Sequence, residues 1–111
     1  MMDIEARDVD DVKVVDIEGR LNTSTSPEAD AFFKELIADG ATKILINLKD
    51  MDYTSSTGLR VILFTGKQLS KVEGMMAICG LNPTVKEVFD MAGFSAMFDV
   101  YETEEEALKH F

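Results

Sequence analysis

Short runs of apolar, often branched residues alternate in this sequence with longer stretches whose apolar positions recur at helical spacing. Residues 44–48 and 75–79 form two such runs, each short enough for a strand and apolar enough to be covered on both faces. Between them, residues 58–72 place their apolar side chains as an amphipathic helix does. A strand, a helix and a second strand in this order predict a right-handed crossover and parallel pairing of the two strands.

Upstream of these elements, the sequence predicts a hairpin followed by a helix. Residues 4–9 and 12–18 surround a short acidic turn, and the second of them alternates apolar and polar positions, as strands do. The helix begins near Pro27, which suits a first helical position, with Ser26 as its cap, and it ends at Gly40.

Downstream, a third helix, a last strand and a terminal helix complete the chain. The third helix opens at Asn82-Pro83 and ends at Gly93. Residues 97–101 are predicted to form the strand. Thr103 then caps the terminal helix, because its hydroxyl can accept a hydrogen bond from a free amide of the first turn.

The chain is long enough for one hydrophobic core, and no linker divides it. Its 111 residues favour a single domain that covers residues 1–111. The order of elements, ββαβαβαβα, predicts an α/β fold in which helices pack on a mostly parallel central sheet with an antiparallel N-terminal edge.

The charge balance and the cysteine count narrow the choice of partners and sites. Lys and Arg number 11 against 21 Asp and Glu, a net charge of −10, so neither nucleic acid nor an anionic membrane surface is an expected partner. Cys79 has no second cysteine to pair with, and His110 is the one histidine, which leaves no Cys and His set for zinc. No apolar run is long enough to cross a bilayer, so we expect a cytoplasmic protein without membrane insertion.

Residues 52–59 carry the strongest functional signal in the sequence. Four hydroxyl residues, Thr54, Ser55, Ser56 and Thr57, separate a buried strand from an amphipathic helix, so we expect a loop and an exposed helix N-terminus. The free amides and the positive end of the helix dipole tolerate a negative charge there, including a phosphate on one of these hydroxyls. By local chemistry alone, a serine that only caps the helix explains the segment as well.

The same segment resembles the signature of STAS domains, and especially of bacterial anti-sigma factor antagonists. The residues that carry the resemblance are Leu48 and the stretch Tyr53-Thr54-Ser55-Ser56-Thr57-Gly58-Leu59-Arg60-Val61. Two further matches are Gly19-Arg20-Leu21-Asn22 and Phe89-Asp90-Met91-Ala92-Gly93-Phe94. The resemblance covers essentially the whole chain and implies the STAS fold.

The resemblance also assigns a role to one serine. In these antagonists the serine two places before the glycine is phosphorylated by the anti-sigma factor kinase, which implies Ser56 here. Ser55 and Asn22 stand where antagonists commonly carry aspartate. Both differences remove a negative charge near the site, so Ser55 and Thr57 remain alternative acceptors.

As a member of this family, the protein would be a binding module and not an enzyme, and it would need no cofactor or metal. Unphosphorylated, it would bind an anti-sigma factor serine kinase and release the sigma factor. Phosphorylation of Ser56 would switch binding off, and a phosphatase acting on Ser56 would restore it. STAS-like domains also serve as transporter accessory subunits and as small-molecule or nucleotide sensors, and these alternatives stay open.

The implied partner surface combines the loop that precedes the first helix, the hydroxyl segment and the outer face of the second helix. Its residues are Asn22, Thr23, Ser24, Thr54, Ser55, Ser56, Thr57, Gly58, Arg60 and Lys67.

The other reactive side chains have structural explanations. Cys79 has no basic neighbour to stabilise a thiolate and is expected in the core. His110 lies near the C-terminus and is expected to be solvated. Acidic side chains in the first turn of the terminal helix would oppose its dipole favourably; the acidic residues in question are Glu102, Glu104, Glu105 and Glu106.

The methionines of the second half of the chain are expected to fill core space, because Met adapts to irregular gaps. They are Met75, Met76, Met91 and Met97. An exposed Met91 beside Phe94 would instead form an adaptable partner surface.

Overall fold

The computed structural model describes residues 2–111, which form six strands and five helices. The strands are β1 (Met2–Val9), β2 (Val12–Leu21), β3 (Lys43–Asn47), β4 (Met51–Thr54), β5 (Met75–Cys79) and β6 (Asp99–Tyr101). The helices are α1 (Ser26–Ala38), α2 (Ser56–Lys71), α3 (Pro83–Met91), α4 (Phe94–Met97) and α5 (Glu104–Leu108).

All six strands belong to one sheet, whose main order is β1-β2-β3-β5-β6. Strands β1 and β2 pair antiparallel, and every other pair is parallel. The predicted fold class is therefore confirmed, with β3 at the centre of the sheet, as its continuous apolar run indicates.

Strand β4 lies within a stretch that the sequence analysis treats as loop. It pairs with the last residues of β2, while β3 pairs with residues 13–16 on the same side of β2. The partner of β2 changes from β3 to β4 between Asp16 and Gly19, and the register of the β2–β4 pairing shifts between Gly19 and Arg20. Residues 51–54 are too few and too polar for the local sequence to predict a strand. Pairing with β2, which is distant in sequence, determines their extended conformation.

Apolar side chains cover both faces of the sheet. On one face, Ile17, Ile46 and Ile78 join Phe33 of α1 and Phe89 of α3 in the larger core cluster. On the other face, a smaller cluster collects around the short helix α5 through the buried Ala107. The predicted packing of helices on the sheet therefore holds on both sides, with one small helix on the second face.

The predicted cap Thr103 is confirmed and the predicted cap Ser26 is wrong, while Asn82, predicted to open the third helix, is its cap. Asn82 Oδ1 accepts from the amide of Val85 at 2.8 Å, and Thr103 Oγ1 accepts from the amide of Glu106 at 3.1 Å. Helix α1, by contrast, has Thr25 at its N-cap position without a side-chain cap. Ser26 is its first residue, and its hydroxyl donates to the carbonyl of Asn22 at 2.5 Å.

The last predicted strand is shorter than residues 97–101. A single helical turn, α4, occupies residues 94–97 and begins after Gly93, whose φ is 77°. Phe94 of this turn is buried and makes an edge contact with Phe89 at a centroid distance of 5.6 Å. The buried aromatic contact packs this helical turn against α3, and the strand begins only at Asp99.

The expectation that the methionines fill the core is wrong for three of the four. Met75 is 43% exposed, Met97 57% and Met91 82%, whereas Met76 packs partly buried against the larger cluster. Neighbouring Phe94 is buried, so Met91 stands alone and does not form an apolar patch with it.

Cys79 and His110 occupy the places expected of them. Cys79 is fully buried in the smaller cluster, and burial raises the pKa of its thiol to about 12. His110 is exposed and stacks on the ring of Tyr101 at 4.8 Å between centroids. Neither residue has the environment of an activated nucleophile.

Glu104 does more than oppose the dipole of α5. The Arg7 guanidinium of β1 donates to the carboxylate of Glu104. Its Nε also donates to Oδ2 of Asp16 in β2, at 2.6 Å. The amide nitrogen of Asn47 donates to Glu104 Oε1 at 3.0 Å. This cluster ties the first turn of α5 to three strands.

Acidification is expected to weaken this attachment. The Arg7 guanidinium, helped by the Asn47 amide, holds the pKa of Glu104 below its usual value of 4.5. Because the folded-state pKa is the lower one, the stabilisation is present above pH 4.5 and is lost as the pH falls further. Glu104→Gln should therefore have a free energy of unfolding about 1 kcal/mol or less below that of wild type at pH 7, and this difference should shrink below about pH 4. Thermal unfolding at several pH values measures it. A difference that stays constant with pH would contradict this.

Candidate functional site

The hydroxyl segment forms where β4 ends and α2 begins. The amide of Ser55 donates to the carbonyl of Leu21 at 3.1 Å, which continues the pairing of β4 with β2. The Ser55 hydroxyl then caps α2 by accepting from the amide of Gly58 at 3.3 Å. Ser55 is thus the last extended residue and the cap, and Ser56 is the first helical one.

Gly58 lies against the backbone of β2. A Cβ at this position would stand 2.5 Å from the carbonyl oxygen of Leu21 and 2.6 Å from Thr54 Oγ1. Such distances are shorter than van der Waals contact, so only glycine lets the start of α2 approach β2 this closely.

The four hydroxyl groups differ in exposure. Ser56 is exposed, Ser55 and Thr57 are half-buried, and Thr54 is only 2% exposed. The Thr57 and Thr23 hydroxyls lie 3.5 Å apart. Thr54 and Gly58 are buried, which differs from the prediction that they contact a partner: pairing of β4 with β2 encloses them.

The loop before α1 is built around the side chain of Asn22. Its Oδ1 accepts from the amides of Ser24 at 3.0 Å and Thr25 at 3.2 Å. The Thr25 hydroxyl donates to the carbonyl of Arg20 at 2.8 Å. An aspartate would offer the same acceptor oxygen, so asparagine keeps the turn and removes only the charge. The loop thereby holds exposed Thr23 and Ser24 beside the start of α2.

Positive charge borders the exposed serine. The first turn of α2 carries no acidic residue, and exposed Arg60 follows it, four residues after Ser56. The Arg20 guanidinium lies over the Tyr53 ring, 4.5 Å from its centroid. The helix N-terminus adds a further partial positive charge. This environment suits a negative group on Ser56.

A shallow groove of about 360 Å³ lies between α1 and α2, continuous with the hydroxyl segment. It brings together Thr57, Arg60 and Lys67, three of the predicted partner-binding residues. Sequence reasoning missed its most exposed apolar side chain, Phe64, which is 44% exposed. The sequence could have predicted this exposure, because Phe64 lies outside the apolar stripe of its helix.

Two kinds of feature are absent from residues 2–111. No group of three or more His, Cys, Asp or Glu side chains in this range is placed to hold a metal ion. No helix in it is long and apolar enough to cross a membrane.

The sequence profile of the STAS domain matches residues 3–107. The chain belongs to the STAS domain family. The resemblance stated from the sequence is therefore confirmed, and the STAS fold places the Ser56 segment where a strand meets the N-terminus of the second helix.

Relatives of this STAS domain carry the names that the sequence motifs suggest. A Bordetella bronchiseptica protein, BtrV, named as a candidate anti-sigma factor antagonist, is 33% identical over 93% of this chain and 89% of its own. The anti-sigma F factor antagonist of Paenibacillus polymyxa is 33% identical over 87% of this chain and 84% of its own.

A solved structure shares the architecture closely. The crystal structure of a candidate anti-sigma factor antagonist from Thermotoga maritima superposes with a TM-score of 0.91. That protein is 26% identical, over 96% of this STAS domain and 92% of its own chain.

Proposed function

We propose that this STAS domain is an anti-sigma factor antagonist that binds an anti-sigma factor serine kinase while Ser56 is unmodified. Phosphorylation of Ser56 ends the binding, and a phosphatase acting on Ser56 restores it. The names of the relatives support the antagonist role. The observation that carries the switch is Ser56 itself, an exposed hydroxyl at the first position of α2 with no acidic residue in its turn and Arg60 one turn further on.

Ser56 is a better phosphorylation site than Ser55 or Thr57, because the hydroxyls of those two residues already make contacts within the protein. The Ser55 hydroxyl caps α2, so a phosphate on it would remove the hydrogen bond to Gly58. Thr57 is half-buried and close to Thr23. Ser56 can be modified without breaking either contact.

A phosphate on Ser56 would change binding and leave the fold intact. It adds about −1.5 to −2 charges at neutral pH, next to a helix N-terminus that favours negative charge. The same charge and bulk would stand in the middle of the partner surface, where the complex would have to desolvate it and face it with the partner's own acidic groups. Loss of affinity, with no loss of stability, follows.

Capture of partners tests the proposal directly. Wild-type protein and Ser56→Asp are immobilised in parallel, exposed to an ATP-depleted lysate of the native source, and analysed by mass spectrometry. We expect wild type alone to retain a serine kinase of the anti-sigma type. Retention of the same transporter subunit by both, or of no kinase by either, would favour an accessory or sensor role instead.

Phosphate mapping supplies the matched controls. With the captured kinase and ATP, wild type should gain one phosphate, Ser56→Ala none, and Ser55→Ala and Thr57→Val as much as wild type. A phosphate that persists in Ser56→Ala would place the switch on another hydroxyl.

A further inference from the structure

The groove between α1 and α2 has the composition of a protein-binding site. Phe64 forms its apolar floor with Val61 and Leu63. Three basic residues, Lys34, Arg60 and Lys67, and one acidic residue, Asp30, line it as well. Large aromatic side chains that stay exposed are unusual on a free surface, and aromatic residues are enriched where proteins bind each other. This groove reaches Thr57 and thus adjoins the Ser56 segment.

The charges in the groove are opposite to those of the chain as a whole. The protein has a net charge of −10, yet Arg60 and Lys67 make no ion pair within the described residues 2–111. Lys34 pairs with Asp30 at 2.8 Å, and its ammonium lies 5.5 Å from the centroid of the Phe64 ring. A partner segment that is acidic and carries an apolar side chain complements this combination.

We propose that the α1–α2 groove binds an acidic segment of the partner protein, with an apolar side chain of that segment packed on Phe64. This proposal rests on the antagonist function above and adds the chemistry of the partner's contact. Arg60 and Lys67 supply positive charge beside the apolar contact, as a polar rim surrounds the centre of an interface, while the charge of Lys34 is balanced by Asp30.

The centre of the groove, at Phe64, lies away from the switch, although the end of the groove at Thr57 adjoins it. A helix rises about 1.5 Å per residue, so Phe64 lies about 12 Å along α2 from Ser56. The screening length at physiological ionic strength is about 8 Å, so a phosphate on Ser56 acts weakly on charges bound around Phe64, whereas Arg60, about 6 Å along α2 from Ser56, lies within its reach. The groove therefore supplies affinity, and Ser56 supplies control.

A peptide titration tests this without any kinase. The isotope-labelled full chain is titrated with a synthetic acidic amphipathic peptide that carries Leu at helical spacing among Glu residues. We expect amide shifts centred on the groove and a dissociation constant below about 1 mM. The same peptide with Lys in place of Glu should bind at least about tenfold more weakly, since its charge is repelled there.

Variants locate the contact. Phe64→Ala and Lys67→Glu should each weaken peptide binding about fivefold or more. Met75→Ala and Lys86→Glu change side chains that are equally exposed but lie on β5 and α3, and they should leave binding unchanged. Ser56→Asp should weaken it less than Phe64→Ala does, because only the Arg60 end of the groove lies within reach of a charge at position 56. Melting temperatures confirm that each variant is folded.

The results that would overturn the proposal are distinct from those that would overturn the function. Absence of groove shifts, equal binding of both peptides, or unchanged binding by Phe64→Ala would each refute the groove site. Because this experiment contains neither kinase nor ATP, its failure leaves the Ser56 switch standing. Failure of the capture experiment likewise leaves the peptide result standing.

Discussion

Replacement of Ser56 by aspartate is expected to weaken binding to the captured anti-sigma factor about a hundredfold, equivalent to about 2.7 kcal/mol. The carboxylate places a negative charge on an exposed position in the middle of the proposed partner surface. Like charges that face each other across a desolvated interface cost several kcal/mol. Titration calorimetry with the purified factor measures the effect, and a phosphorylated sample should bind more weakly still.

Controls separate this effect from a general effect of charge or of misfolding. Ser56→Ala should bind as wild type does in the absence of ATP. Thr84→Asp places the same charge on an exposed position in the first turn of α3, and it should leave affinity unchanged. The melting temperature of Ser56→Asp should stay level or rise slightly, since the charge lies at a helix N-terminus. Binding of Ser56→Asp at wild-type strength would refute the switch.

Gly58→Ala is expected to destabilise the fold by about 2 kcal/mol, as overpacking of a closely packed site does. The added methyl group would stand 2.5 Å from the carbonyl oxygen of Leu21. That oxygen belongs to a strand and accepts a hydrogen bond from Ser55, so it cannot move without loss of the β2–β4 pairing. The melting temperature should fall by about 10 °C.

Gly66→Ala is the matched control in the same helix. A Cβ there would meet the ring of Phe98 at 2.8 Å and the methyl of Met76 at 3.2 Å, both side-chain ends that can shift. Alanine also favours helix over glycine by up to about 1 kcal/mol. Gly66→Ala should therefore lower the free energy of unfolding clearly less than Gly58→Ala does. Equal decreases would show that the Leu21 carbonyl moves aside at little cost.

The Ser55 hydroxyl explains how the chain tolerates its departure from the aspartate common in antagonists. Serine and aspartate are about equally good helix caps, and Ser55 caps α2 through the Gly58 amide. What the substitution removes is the charge beside Ser56. The fold of the segment is therefore preserved, and we expect the missing carboxylate to affect phosphorylation of Ser56 and not the fold.

The places where sequence reasoning was wrong have a common cause. Residues 51–54 form a strand because β2 runs on to Leu21 and offers them a partner. Met75, Met91 and Met97 are exposed, whereas other residues of their own elements, Ile78, Phe89 and Phe94, are buried in the core. Propensity and periodicity describe a segment and its immediate neighbours, whereas strand ends and core places depend on segments far away in sequence.

The sequence by itself determined the α/β class, the parallel sheet with its antiparallel edge, and the hydroxyl segment at the start of the second helix. These features follow from local periodicity and from motifs within a few residues. Only the tertiary structure decided that Gly58 lies against Leu21, that Thr23 meets Thr57, and that Lys34 flanks an exposed Phe64. Each of these contacts joins separate elements, and their geometry exists only once the sheet has set the helices side by side.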